Sequence, residues 1–449
     1  PMTKLLLEFI TEYGKQFKVA FSITGQAIEQ MELYAPAALD SFKELAATGC
    51  VEFLCETYAH SLAVLKDEAE FERQVRLHSE LIEWHFGQKH TAFRLTELVY
   101  SDEIGAKVAD LVFNTMLTEG AKHIMGWKSP NYIYTNPINS RLKVLLRNFR
   151  LSDDLSFRFS DRNWSEWPIT TDKYITWLNE LDSKEEIVNL FMDYETFGEH
   201  QRRETGIFEF MRYLPEKVFS STNFEFLTPS EAASKHQPIA PIHVPFAISW
   251  ADEERDLSAW VGNDLQDDAF NSIYEFGDII ADLNDDALMT DWRRLQASDH
   301  FYYMCTKFFS DGNVHKYFNP YANPYDAYIN YMNIISDFLI RVNNLVDKKL
   351  DLGEKNTDIP EKFYNFASIN QISNSSIQIK KSLEMAKRTT LADLAKEGML
   401  PEVAKKEAAA KKKAAAAAKK ATTKPAAKKT AAKKATAAKP AAKKATAKA

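Results

Sequence analysis

The sequence predicts an α/β protein, a parallel-stranded barrel covered by helices, with an all-helical region and a Lys/Ala-rich tail behind it. Three observations carry this. Short apolar runs without polar alternation trade places with amphipathic stretches over residues 1–200, as in a parallel sheet buried on both faces. Strand signals then give way to helical periodicity between about 250 and 345, and residues 405–449 hold little besides Ala, Lys, Thr and Pro.

In order, LLLEFITEYGKQF (5–17) has helical spacing and FKVAFSI (17–23) reads as a strand. PAALDSFKELAATG (36–49) is a helix stopped by Gly49, and CVEFLCET (50–57) is a strand. A charged helix (66–88) leads to HTAFRLTEL (90–98). A helix over 102–120 ends at Gly120, and KHIMGW (122–127) reads as the next strand. Residues 140–154 read as helix then strand, and KEEIVNLFMDYE (184–195) ends in another buried strand. Six strands before residue 200 fit a barrel better than a small open sheet. The expected organisation is a barrel over 1–245, a helical bundle over 246–350, a linker over 351–404 and a disordered basic tail over 405–449.

The formal net charge is −7, but residues 405–449 carry 16 Lys and one Glu, which leaves −22 on the rest. An acidic body argues against nucleic acid as the ligand of the folded part. The polycationic tail can bind DNA or another polyanion without sequence readout, and it lacks aromatics for stacking bases. Cys50, Cys55 and Cys305 form neither a disulfide framework nor a CxxC pair. A reducing cytoplasm is the expected compartment. No apolar run is long enough to cross a membrane. The chain opens on Pro1 rather than Met and shows no signal peptide.

No glycine-rich phosphate loop follows a strand, which argues against a nucleotide site. The GxSxG elbow of serine hydrolases and the HExxH pattern of zinc enzymes are also missing. Glu195, Glu199 and His200 are a weak metal candidate, and Cys50 and Cys55 near His60 a weak thiol one. No metal and no cofactor are expected. In a parallel barrel, catalytic side chains sit where strands end. Glu97 closes FRLTEL and Asp193 closes IVNLFMD. A carboxylate ending a buried strand is costly unless it is paired or faces a cleft. Two such groups are the minimal apparatus for breaking a glycosidic bond, since charge on one raises the pKa of the other.

Four blocks in order then resemble glycoside hydrolase family 57, its α-amylase-type branch, over residues 1–345. They are GCVEFLCETYAHSL (49–62), AFRLTELVYSDEIG (92–105), LFMDYETFGEH (190–200) and SWADEERDLSAWVGNDLQ (249–266), with MGWKSPNYIY (125–134) adding similarity. The resemblance implies a (β/α)7 barrel backed by helices, and retaining cleavage of α-1,4-glucans such as starch, glycogen or maltodextrin. Glu97 is then the nucleophile and Asp193 the general acid/base. His60, Glu52, Trp127 and Trp260 become substrate-contacting candidates, with Tyr58, Asp154 and Trp250 behind them. A 4-α-glucanotransferase or branching enzyme on the same scaffold, or a catalytically silent glucan-binding relative, are the alternatives. The family's first block, an HQP motif on a first strand, has no counterpart here. The HQP at 236–238 falls too late in the chain, so an upstream strand is expected to be missing and the barrel incomplete.

Overall fold

Apolar positions three and four apart make the first helix. In α1 (Met2–Tyr13), Leu5, Leu6, Phe9 and Ile10 form the buried stripe, and Gly14 ends it at φ 57°. These coordinates come from a computed structural model, which describes residues 1–309 and 314–353. The remaining elements alternate as the hydrophobic pattern demands. Strand β1 (Val19–Phe21) is followed by α2 (Gly25–Tyr34), capped by Thr24, and α3 (Pro36–Ala47), which starts on a proline. Next come β2 (Val51–Phe53), α4 (Glu68–Phe86) with Asp67 as N-cap and Gly87 as left-handed C-cap, and β3 (Ala92–Arg94).

Helix α5 (Asp102–Asp110) gives way to β4 (Thr115–Glu119), α6 (Lys122–Met125), β5 (Tyr134–Thr135) and β6 (Lys143–Arg147). Helices α7 (Phe149–Ser156), α8 (Thr171–Asn179), α9 (Ile207–Ser221) and α10 (Pro229–Lys235) follow, then β7 (Ala240–Pro241). The rest is helical: α11 (Asp264–Tyr274), α12 (Gly277–Leu283), α13 (Asp286–Leu295), α14 (Ser298–Tyr302), α15 (Val314–Phe318) and α16 (Pro324–Gly353).

The sheet is mostly parallel. β1 pairs with β2, and a larger sheet runs β3-β4-β6-β5-β7, in which the β5–β6 pairing is antiparallel, so that the short β5 and β7 run against the rest. A single parallel bridge, Cys55 to Phe93, joins the two where the chain leaves β2. One apolar cluster runs from Phe93, Met116 and Val144 on the strands to Trp292, Phe301 and Phe338 on the helices beyond 264. A pairing across the chain fastens these parts: Ser61 bridges Ala297, and Ser298 N–H donates to the His60 carbonyl at 2.9 Å.

Three expected elements differ. Residues 122–125 are helical, not a strand; the strand is TMLTE (115–119), which the reading absorbed into the preceding helix. Every residue of β4 is buried, so it shows no period-two signal, and the helix before it ends near Val112, whose φ is 74°. Between 140 and 154 the order is strand then helix. Residues 187–193 are no ladder strand, because one side chain and one isolated backbone N–H take their carbonyls. Arg147 Nε donates to the Phe191 carbonyl at 2.7 Å, and Asn148 N–H meets the Asn189 carbonyl at 2.9 Å.

Every described residue lies within the unit Pro1–Ala386. The linker beyond 353 and the basic tail lie outside the described residues. Among the described residues, no helix is long and apolar enough to cross a membrane.

Phe53 lies 1% exposed and stacks on Phe86 with centroids 3.9 Å apart and planes 4° from parallel. Phe53→Ala is expected to cost ~3–5 kcal/mol through lost burial and a residual cavity, measured as the shift in a urea unfolding curve.

Candidate active site

The chain leaves β3 through a tight turn that aims Glu97. Glu97 (φ 58°, ψ 24°) and Leu98 (φ 54°) are both left-handed. That conformation costs on the order of 1 kcal/mol or more for each residue with a side chain, so it must be held from outside. Thr57 and Thr96 share a hydroxyl–hydroxyl bond of 2.8 Å, Thr118 Oγ1 donates to the Leu98 carbonyl at 2.8 Å, and Trp250 N–H donates to the Glu97 carbonyl at 3.2 Å. His60, also left-handed (φ 53°), faces this turn.

A chain of charge-assisted contacts runs through the site. Ser22 Oγ donates to Glu56 Oε1 at 2.6 Å, and Glu56 Oε2 lies 3.3 Å from His60 Nδ1. His60 Nε2 lies 3.2 Å from Glu97 Oε1, while Trp250 Nε1 donates to Glu97 Oε2 at 2.7 Å and Ser298 Oγ to Oε1 at 3.5 Å. Burial pushes the fully buried Glu56 carboxyl up, but the hydrogen bond from His60 and the charge of Arg94 pull it down to about 2. Burial lowers His60, yet its bonds to Glu56 and Glu97 hold it at about 10, a standing imidazolium. Burial raises Glu97, and the His60 bond, the charges of His60 and Arg94 and the Trp250 bond outweigh it, so Glu97 stays ionised.

Asp193 follows the extended segment 187–192 and takes the opposite course. Burial, then the negative charges of Glu195 and Glu97, raise its carboxyl to about 6 against the pull of Arg94 and Arg147. The site therefore holds one carboxylate fixed as an anion and a second that keeps its proton up to about pH 6.

A second ionic network underlies both. Arg147 bonds Glu119 at 3.1 Å and Asp153 at 2.5 Å, and Arg255 reaches Asp153 at 3.4 Å and the Trp250 carbonyl. The Arg94 and Arg147 guanidinium groups lie 5.3 and 5.6 Å from the Trp250 ring centroid. The tryptophan that holds Glu97 is thus held in turn by three arginines, two at its ring and one at its carbonyl.

The structure brings Glu97, His60 and Asp193 into one electrostatic neighbourhood, and it distributes the other candidates differently. Glu52 lies outside: its carboxylate accepts from the Ser230 N–H (3.0 Å) and hydroxyl at the start of α10, and Glu56, four residues on, occupies the site instead. Trp260 is corrected to a packing residue, 1% exposed and against Tyr302, with no face free for a ligand. Trp127 stands 93% exposed beside Gly126 and touches none of the site's groups described above. Cys55 is no nucleophile, since burial drives its thiol up to about 12. Among the described residues no group of three or more His, Cys, Asp or Glu could hold a metal ion. Sequence reasoning missed Glu56, Arg147, Arg255 and Ser298. The i,i+4 spacing of Glu56 and His60 was a usable signal; Arg255 and Ser298 carry none.

The sequence model of glycosyl hydrolase family 57 matches residues 1–245. A protein of Methanocaldococcus jannaschii named "Putative alpha-amylase" is 44% identical over 359 residues, 78% of this chain and 76% of its own. Among solved structures, a branching enzyme from Thermococcus kodakaraensis superposes with a TM-score of 0.58 at 15% identity, over 81% of this chain and 87% of its own. A 4-alpha-glucanotransferase from Thermococcus litoralis gives 0.55 at 16% identity over 67% of this chain, which spans only 51% of that enzyme. These two likenesses are of fold.

The imidazolium of His60 depends on its flanking carboxylates. In Glu56→Gln, the His60 pKa is expected to fall from about 10 by more than one unit, read by NMR titration of the imidazole protons. An unmoved titration would mean that Glu97 alone holds the proton.

Proposed function

Because the chain belongs to glycosyl hydrolase family 57, we propose that it is a retaining enzyme that cleaves α-1,4-linked glucan chains with Glu97 as nucleophile and Asp193 as general acid/base. The observation that carries the reading is the split between the two carboxyls, Glu97 lowered and Asp193 raised to about 6. In this reading the sheet belongs to a (β/α)7 barrel, with Glu97 at the rim after β3 and Asp193 carried there by the extended segment 187–192. Residues 1–245 are the catalytic part and the helices to about 350 back it.

Glu97 attacks the anomeric carbon while Asp193 gives its proton to the leaving glycosidic oxygen. The bond breaks and a covalent glycosyl-enzyme forms. Asp193, now ionised, takes a proton from the incoming water, which attacks the same carbon and releases Glu97. His60 and Trp250 hold one oxygen each of Glu97 through 3.2 and 2.7 Å contacts. Their donors keep Glu97 a good leaving group in the second step. A sugar hydroxyl in place of water would give transfer rather than hydrolysis. The named α-amylase relative at 44% identity supports the hydrolytic assignment.

Asp193→Asn is expected to lower kcat on maltoheptaose about 10²–10⁴-fold. On an aryl maltoside whose phenolate leaves unaided, the first step should be far less affected. Glu97→Gln should lose both. Equal loss on both substrates in Asp193→Asn would remove Asp193 from the acid role, and products longer than maltoheptaose would replace hydrolysis with transfer.

The pH dependence follows with a definite sign. Activity requires Asp193 protonated, so it falls as pH rises through about 6. Glu195→Gln removes a charge that raises Asp193, and the alkaline limb of kcat/KM is expected to move to lower pH. A limb that moves to higher pH would break the assignment.

A further inference from the structure

The buried stripe of α4 is interrupted by polar groups. Phe71, Val75 and Ile82 are apolar, but Glu70 and Gln74 share their face and are fully buried. A polar side chain in such a stripe is costly unless its groups are bonded. Gln74 meets that demand in full. Its Nε2 donates to Glu70 Oε1 and to Gln296 Oε1, each at 2.8 Å, and Gln296 Nε2 donates to Glu70 Oε1 at 3.2 Å. The three side chains close a triangle between α4 and the residue that follows α13, and Arg73 pairs with the other oxygen of Glu70.

Two amide groups converging on Glu70 Oε1 decide which way the Gln74 side chain lies. Its carbonyl oxygen is left to accept from the Ala59 N–H at 3.1 Å and the Ser61 hydroxyl at 3.0 Å. These are the residues on either side of left-handed His60. The opposing segment is held by the same triangle. Gln296 directly precedes Ala297 and Ser298, which pair with Ser61 and with the His60 carbonyl. For α4 itself an apolar side chain would suffice at this position; the amide serves the turn.

We propose that Gln74 is a positioning residue for the reaction: it fixes the backbone on both sides of His60 and so keeps the imidazole on Glu97, with Glu70 and Gln296 setting the direction of its amide. The inference rests on the proposed mechanism, in which His60 holds one oxygen of the nucleophile, and extends it to a residue that acts only through another. Gln266 supplies a matched comparison. It too is fully buried and uses its whole amide, accepting from the Gly262 N–H and Asn263 Nδ2 and donating to the Ala259 and Phe301 carbonyls. Its bonds reach none of residues 59–61.

The test compares Gln74→Met with Gln266→Met in the full chain, under conditions where urea curves show each to be folded. In Gln74→Met the imidazole loses its set position between Glu56 and Glu97. Its pKa, read by NMR titration, is expected to fall from about 10 toward the ~6.5 of an unperturbed histidine. The kcat on maltoheptaose should drop about tenfold, with KM within about threefold. Gln266→Met should lose comparable stability and leave the His60 titration where it was. If Gln74→Met does not fold, Gln296→Met carries the test, since it removes one corner of the triangle and should move His60 in the same direction. An unmoved titration in the folded variant, or an equal shift in Gln266→Met, reduces Gln74 to packing and overturns the proposal. A shift without the control's, in a chain that cleaves no maltoheptaose, keeps the positioning role and sinks the proposed activity instead.

Discussion

Holding Glu97 ionised in a largely dry place would cost several kcal/mol without compensation, and much of the surrounding structure exists to supply it. The left-handed turn after β3 aims the carboxylate, His60 brings a full positive charge to one oxygen, and Trp250 brings an N–H to the other. Each of those groups needs support of its own. Glu56 keeps His60 charged, and Arg94, Arg147 and Arg255 fix the Trp250 indole and its backbone. Removing a distant member of this set acts on Glu97 through at least one intermediary. That is why a residue such as Glu56 can matter without touching a substrate.

The same field sets the second carboxyl. Asp193 shares the neighbourhood of a permanent anion, and burial finishes what repulsion begins. Arg94 and Arg147 limit the effect, so Asp193 is left near the neutral range rather than far above it. The proposed mechanism needs both groups in unlike states, and one electrostatic environment produces that difference from two chemically similar side chains.

How much of this the sequence disclosed follows from the range of each interaction. Helices α1, α3 and α4 were legible because their apolar spacing and caps are local. β4 was hidden because burial on both faces removes the alternation that marks a strand. Glu97 and Asp193 were legible as charges ending apolar runs, and His60 came with the resemblance of its block. Arg255 and Ser298 were invisible, since Arg255 reaches Asp153 across 102 residues and Ser298 reaches Glu97 across 201, and nothing local marks them. Trp260 came with the resemblance of its block, and an indole reads alike in sequence whether it lines a cleft or fills a core, as it does here. Glu52 and Glu56 differ only in which way the chain carries them, and the choice is made by α10, whose Ser230 claims the first.

The clasp between Ser61 and Ala297, with the Ser298 N–H on the His60 carbonyl, has a consequence for how the molecule ages under heat. His60 sits in a strained backbone conformation, and one of the bonds that keep it there crosses to a segment more than 230 residues later. Thermal opening of that segment would release the histidine while the sheet stayed intact. Competence and foldedness are therefore separable quantities in this chain, since the histidine's position depends on a clasp that lies outside the sheet's own ladders.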